Sequence, residues 1–256
     1  MRRSGFGWFV TKPTMPTLAA IAMFLVPGTA MAQPKHYALE SPGGLGLHNL
    51  AAEPATLQGR KGLRLTLSEE SRRRLEGMAP EERERARLSL EQLAWIEGLE
   101  FSSGVIEVEV AGAVAPGAAE GARGFVGVAF RLQKDLKTYD AFYLRPTNGR
   151  ADDQERRNHS AQYISHPEWP WFRLRQETPS RYESYVDLVP GEWTKIRIEV
   201  RGNRARLHVH GNEQPTLIVN DVKSGAEGKG AVGLWLGPGT VGHFRNLTVD
   251  PTPDER

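Results

Sequence analysis

Residues 193–210 read Trp-Thr-Lys-Ile-Arg-Ile-Glu-Val-Arg-Gly-Asn-Arg-Ala-Arg-Leu-His-Val-His. Apolar side chains fall at 196, 198 and 200, and again at 205, 207 and 209, with charges between them. Successive side chains of a strand point to opposite faces, so this alternation describes strands that bury one face and wet the other. Gly202-Asn203 marks the turn between the two runs.

The same period of two extends outward in both directions. It is present in Gly62–Leu67, Val105–Val110, Phe125–Leu132, Ala141–Arg145, Tyr182–Leu188, Ala231–Leu236 and His243–Val249. Pro190-Gly191, Gly211-Asn212 and Gly237-Pro-Gly239 separate several of these runs. Many short strands at this spacing, without helices between them, predict an all-β antiparallel β-sandwich of jelly-roll type. One segment breaks the pattern. Residues 68–97 are rich in Arg and Glu, with Ser68 and later Pro80-Glu-Glu as helix-start signals, and predict a short helical insertion on the surface.

The termini bound the domain. Arg2, Arg3 and Lys12 precede the apolar run Leu18–Val26 and the small residues Ala30-Met31-Ala32. That order is the grammar of a secretory signal peptide, and the apolar run is too short to span a bilayer. The expected organisation is a leader at 1–32, an extended segment at 33–60, a sandwich at 61–250 and a tail at 251–256. A periplasmic or secreted location follows from the leader. Residues 1–32 hold three of the 33 Lys and Arg and none of the 31 Asp and Glu, so the remainder carries one net negative charge. No global field favours nucleic acid. The chain has no cysteine, which excludes disulfides, thiolate metal sites and cysteine nucleophiles.

Counting in twos assigns side chains to faces. Inward positions are Val126, Val128, Phe130, Phe142, Leu144, Phe172, Leu174, Val232, Leu234 and Leu236. The complementary outward set is Arg131, Tyr143, Arg145, Arg173, Arg175, Glu183, Tyr185 and Trp235, expected together on one sheet. The outward set of 193–210, in contrast, is plain charge. Rings beside guanidiniums suit sugars, because pyranoses present C–H faces for stacking while their hydroxyls need fixed donors and acceptors. A surface ion-pair network among Arg145, Arg173, Arg175, Glu177, Glu183 and Asp187 is the plainer alternative.

Residues 146–171 form a long connection with a short strand expected near Ala161–Ile164. Long connections of this kind tend to be functional. Gln162, Trp169 and Trp171 belong to it, and Pro170 stiffens the chain between the two indoles. The expected role is a lid or wall beside the arginine-rich sheet.

Phe101–Glu107, Gly127–Arg131, Pro190–Val200 and Gly233-Leu-Trp with Phe244-Arg-Asn-Leu resemble the concanavalin A-like lectin/glucanase superfamily. The likeness is strongest to its laminin-G-like and 3-keto-disaccharide hydrolase branches of exported bacterial proteins, and runs over roughly residues 60–250. It implies two curved sheets with a carbohydrate-type cleft on the concave side. The Glu-x-Asp-x-x-Glu strand of the glucanases is not present; Glu107-Val-Glu109 is the nearest approach.

Two functional readings therefore stand side by side: an exported carbohydrate-binding domain, and a glycan-processing hydrolase or lyase. A structural adhesion module is the third. For the enzyme reading, Glu183 is the candidate acid or base and His159 the candidate proton carrier, with His166 as a further histidine. Asp152-Asp153-x-Glu155 offers oxygens to a calcium ion, but it lacks the spacing and glycine of a known loop and reads first as a solvated acidic turn. No zinc spacing, nucleophile elbow or phosphate loop occurs, so no cofactor is expected.

Overall fold

The computed structural model describes residues 33–252, together with residues 1, 5 and 7. Apart from those three residues, the leader read at 1–32 lies outside the described residues, as do residues 253–256. The chain divides into two units, Met1–Ala30 and Met31–Arg256, and the second holds the sandwich.

Two antiparallel sheets make up the sandwich. In chain order the strands are β1 (Lys35–Tyr37), β2 (Leu45–His48), β3 (Leu50–Leu57), β4 (Arg60–Leu67) and β5 (Gln92–Ile96). They continue with β6 (Gly104–Val114), β7 (Val126–Leu132), β8 (Tyr139–Leu144), β9 (Ala161–His166) and β10 (Glu183–Ser184). The last are β11 (Thr194–Arg201), β12 (Arg204–Val209), β13 (Leu217–Val219), β14 (Ala231–Leu236) and β15 (Thr240–Pro251). One sheet runs β13-β12-β11-β6-β15-β4-β3, with β1 on β15; the other runs β10-β9-β8-β7-β14-β5-β2. The all-β expectation holds. The segment at 33–60 contributes three strands, β1 to β3, two of them added to the sheet edges.

In the first sheet the alternation works as read. Ile196, Ile198 and Val200 are buried in the core with Leu207, Val209, Ile106 and Val108. Burying each of these side chains contributes on the order of 1.5–3 kcal/mol. The outer face carries exposed ion pairs such as Lys195–Glu107 at 3.1 Å, each worth little. Arg201 pairs with Arg204, so Gly202-Asn203 is a two-residue hairpin turn, and Gly202 takes the positive φ of +54° that such a turn demands.

The second sheet departs from that pattern. β7 and β8 are buried at every position, so their second face is covered as well. The cover comes in part from the long connection and in part from the 115–123 loop. The connection folds as a 3-10 turn at Pro146–Asn148 and as the helix Gln154–Asn158, followed by β9 and by the helix Trp171–Glu177. The helices are α1 (Glu69–Glu76) and α2 (Pro80–Ser89) in the charged insertion, then α3 (Gln154–Asn158) and α4 (Trp171–Glu177). Ser68 caps α1 by accepting from the Ser71 N–H at 3.2 Å, and Pro80 opens α2.

Helix α4 corrects the strand expected at 172–175. Phe-Arg-Leu-Arg alternates for only four residues, too few to tell period 2 from 3.6. Its composition favours helix, and Arg173 Nε reaches Glu177 Oε1 at 2.7 Å across one turn. Among the described residues no helix is long and apolar enough to cross a membrane.

Candidate functional site

Of the eight residues of the outward set, Tyr143, Arg145, Arg175 and Trp235 line one cavity, the first two and Trp235 by strand parity and Arg175 from a helix. Strand β7 lies between β8 and β14, with Gly127 paired to Tyr143 on one side and to Trp235 on the other. A Cβ on Gly127 would stand 2.6 Å from the Tyr143 Cβ. Glycine there leaves a gap over which the two rings close, and they stack with centroids 4.7 Å apart. The Trp235 indole N–H donates to the Tyr139 hydroxyl at 3.0 Å. The Tyr139 O–H donates to Glu91 Oε2, and Glu91 Oε1 lies 2.9 Å from His166 Nδ1. This chain of bonds fixes the floor of the site.

Next to the floor stands a charge cluster. Arg145, just beyond β8, donates to the Tyr143 hydroxyl at 2.8 Å, to Gln162 Oε1 at 3.0 Å and to the His159 carbonyl at 2.8 Å. Glu183 on β10 faces Gln162 across the register and receives Arg175 from α4, with Nε to Oε2 at 3.0 Å and a second contact from Nη2. Arg145 Nη1 approaches the same carboxylate at 3.5 Å. His159 Nδ1 sits 2.9 Å from Glu183 Oε2, yet neither ring nitrogen has an aligned hydrogen bond. Burial lowers the His159 pKa, with Arg175 and Arg145 adding to the effect and Glu183 opposing it. Burial pushes the Tyr143 phenol up to about 12, so it stays a neutral hydroxyl.

Above the floor is a cavity of about 560 Å³, within the range of small-ligand pockets. Tyr143, Trp235 and Ile164 form its base, while Trp171, Phe172 and Arg175 of α4 form one wall. Arg123, Asn148, Arg156 and His159 also line it, as do Glu84, Arg87 and Leu88 of α2. Trp171 packs against the guanidiniums of Arg175 and Arg145, 4.8 and 5.9 Å from the ring centre, and remains 43 % exposed. Phe172 beside it is 58 % exposed.

Several expected members lie elsewhere. Arg131 is 1 % exposed and faces away from the cavity. Its φ is +55°, and the β14–β7 register shifts between Ala231 and Gly233, so the parity count reverses at that irregularity. Its guanidinium donates to the carbonyls of Ser102, Gly202 and Gly225 and to Ser224 Oγ, tying strand ends together. Arg173 stacks on Trp169 at 3.9 Å and pairs with Glu177, and neither Arg173 nor Trp169 lines the cavity. Tyr185 follows β10 in irregular chain, exposed, bonded to Arg157 at 2.9 Å. Gln162 and Glu183 are buried beneath the arginines rather than on the cavity surface.

Counting in twos did not find Arg123, Asn148, Arg156 or the α2 residues. All lie on loops or helices, where period two carries no information. The charged insertion, expected as a solvated surface piece, borders the cavity instead. Asp153 is occupied as the cap of α3, accepting from the Arg156 N–H at 3.1 Å. Among the described residues no group of three or more His, Asp or Glu is arranged to hold a metal ion.

The solved structures supply the comparison. The chain aligns with carbohydrate-binding module CBM66 of Bacillus subtilis at TM-score 0.50 and 11% identity, over 80% of this chain and 95% of that one. The fold is a concanavalin A-like, galectin-like β-sandwich. A Bacillus subtilis protein with a galectin-like fold aligns at TM-score 0.49 and 12% identity, over 88% and 99% of the two chains. Domain 4 of AbnA, an extracellular arabinanase of Geobacillus stearothermophilus solved with arabinotriose, aligns at TM-score 0.45 and 13% identity, over 87% and 94%. No family model matches the sequence, and no curated protein does.

Proposed function

We propose that this sandwich is an exported carbohydrate-binding domain whose ligand occupies the cavity over β8, β9 and β14. The observation that carries the reading is the exposed indole of Trp171, held by Arg145 and Arg175 at the edge of a cavity floored by Tyr143 and Trp235. A flat apolar face beside rigid donors fits a pyranose, which offers C–H faces and hydroxyls together. The resemblance in fold to a carbohydrate-binding module supports the same ligand class. Export rests on the leader-like segment at 1–32.

The hydrolase or lyase reading has one observation in its favour, the approach of His159 to Glu183. Against it, the Glu183 side chain is 3 % exposed and spanned by Arg145 and Arg175, which leaves its oxygens committed within the protein. Binding without turnover is the better-supported reading.

A glycan array followed by calorimetry tests it. The expected result is binding to a defined set of oligosaccharides, lowered roughly ten- to hundredfold by Trp171→Ala as an aromatic anchor is lost. Turnover of the bound sugar that disappears in Glu183→Gln would favour the hydrolase. An array with no bound glycan would favour an adhesion module.

A further inference from the structure

The arginines of the cavity are not equally supplied with carboxylates. Arg87 has Glu84 at 3.9 Å, and Arg145 and Arg175 share Glu183. Arg123 and Arg156, which line the same cavity, form no ion pair among the described residues. Arg123 donates to the carbonyls of Glu120 and Ala122, at 2.5 and 2.9 Å. The Nε–H of Arg156 is buried with no acceptor, and Asn148 Oδ1, in the same cavity lining and 4 % exposed as a residue, is buried without a donor. A buried N–H without a partner is costly, more so where charge is involved. Two guanidiniums facing one space add repulsion. Burial lowers the Arg123 pKa, and the charge of Arg156 lowers it further than Glu120 restores it, with Arg145 a smaller contribution in the same direction.

We infer that Arg123 and Arg156 form an oxyanion subsite, and that the ligand is an acidic saccharide carrying a carboxylate or a sulfate ester on the ring it inserts here. The inference rests on the carbohydrate reading and sharpens it. The guanidinium fork matches a planar carboxylate or two sulfate oxygens, and the bond is charge-assisted. Arg123 and Arg156 gain the anionic partner that neither has among the described residues. A neighbouring ring hydroxyl donates to Asn148 Oδ1. Trp171 and Phe172, exposed in the same cavity, take the apolar face of the sugar.

The test compares acidic oligosaccharides with neutral counterparts of the same backbone, in calorimetry at two salt concentrations. One pair is a tetragalacturonate and its methyl ester; the other is a sulfated chondroitin tetrasaccharide and its desulfated form. Expected is at least tenfold tighter binding of one acidic member, a preference removed by the double substitution Arg123→Gln, Arg156→Gln and weakened by salt. The pair that shows the preference identifies the oxyanion as carboxylate or sulfate. Equal affinity for acidic and neutral members, both still sensitive to Trp171→Ala, overturns the subsite while leaving the carbohydrate reading standing. A second readout needs no ligand. Because the two arginines repel and one is unsatisfied, Arg156→Gln should hold or raise the melting temperature of the free protein. A marked fall would mean that Arg156 serves the fold, and would also overturn the inference.

Discussion

Arg175 and Glu183, eight residues apart on a helix and a short strand, meet through a guanidinium fork on a carboxylate beneath the cavity. The pair fastens α4 to the edge of the second sheet. It thereby orients Trp171, which lies one helical turn before Arg175 and packs on its charge. This side of the cavity is thus held by a largely buried ion pair as well as by hydrophobic packing, since Leu174 is the one buried residue of α4.

Replacing Glu183 by Gln removes the negative partner of Arg145 and Arg175 while keeping the shape. Leaving two guanidiniums without it should cost about 2–4 kcal/mol, somewhat less than a fully buried pair because Arg175 is partly solvated. Chemical denaturation measures this directly. A variant as stable as the wild type would show that the pair does not hold the wall.

Arg131 carries no role in the proposed site, but its hydrogen bonds join β7 to the segments at Ser102, Gly202 and Ser224-Gly225. Arg131→Met should lower stability by about 2–4 kcal/mol, because the buried acceptors lose a charged donor. Ligand affinity of the folded fraction should be unchanged. A loss of affinity with stability intact would put Arg131 back in the site.

Trp235 has a different expected profile from Trp171. It is 7 % exposed, stacked on Tyr143 and bonded to Tyr139. Trp235→Ala should therefore cost about 3–5 kcal/mol of stability as well as affinity, whereas Trp171→Ala should cost affinity alone. Thermal melts of the two variants side by side separate floor from wall.

Acid should weaken the fold through two histidines. Burial lowers the folded-state pKa of both His159 and His243, with Arg64 contributing at His243. The unfolded chain then binds protons more readily than the native one. Stability is complete above the ordinary histidine value near 6.5 and declines as pH falls below it toward the depressed native values. Melting temperatures from pH 7.5 to 5 should fall, and the slope should flatten in His159→Gln. An unchanged slope in that variant would remove His159 from the effect.

Legibility in the sequence depended on element length. Runs of six to eight alternating residues, as in β11, β12 and β14, assigned every face correctly. Trp235, Tyr143 and Arg145 were placed on one side by counting alone. The count failed at Arg131, where one residue at positive φ reverses parity without any residue type that announces it. It failed again at Phe172–Arg175, where four residues satisfy both a strand and a helix. Arg123, Asn148 and Arg156 were not legible, because their meeting depends on how the 115–123 loop and α3 pack over the sheet. That is tertiary information with no local pattern. Within the insertion expected at 68–97 the two helices were legible, but Gln92–Ile96 is strand β5, paired with β14 and β2, and neither that strand nor the position of α2 at the cavity rim was read.

The measurement that reaches the central claim most directly is a crystal structure of the protein with the tightest oligosaccharide found on the array. The account predicts a pyranose ring against Trp171 and above the Tyr143–Trp235 floor, with its acidic group within hydrogen-bond distance of Arg123 and Arg156. A sugar bound instead on the outer face of the other sheet, beside Trp193, would contradict it.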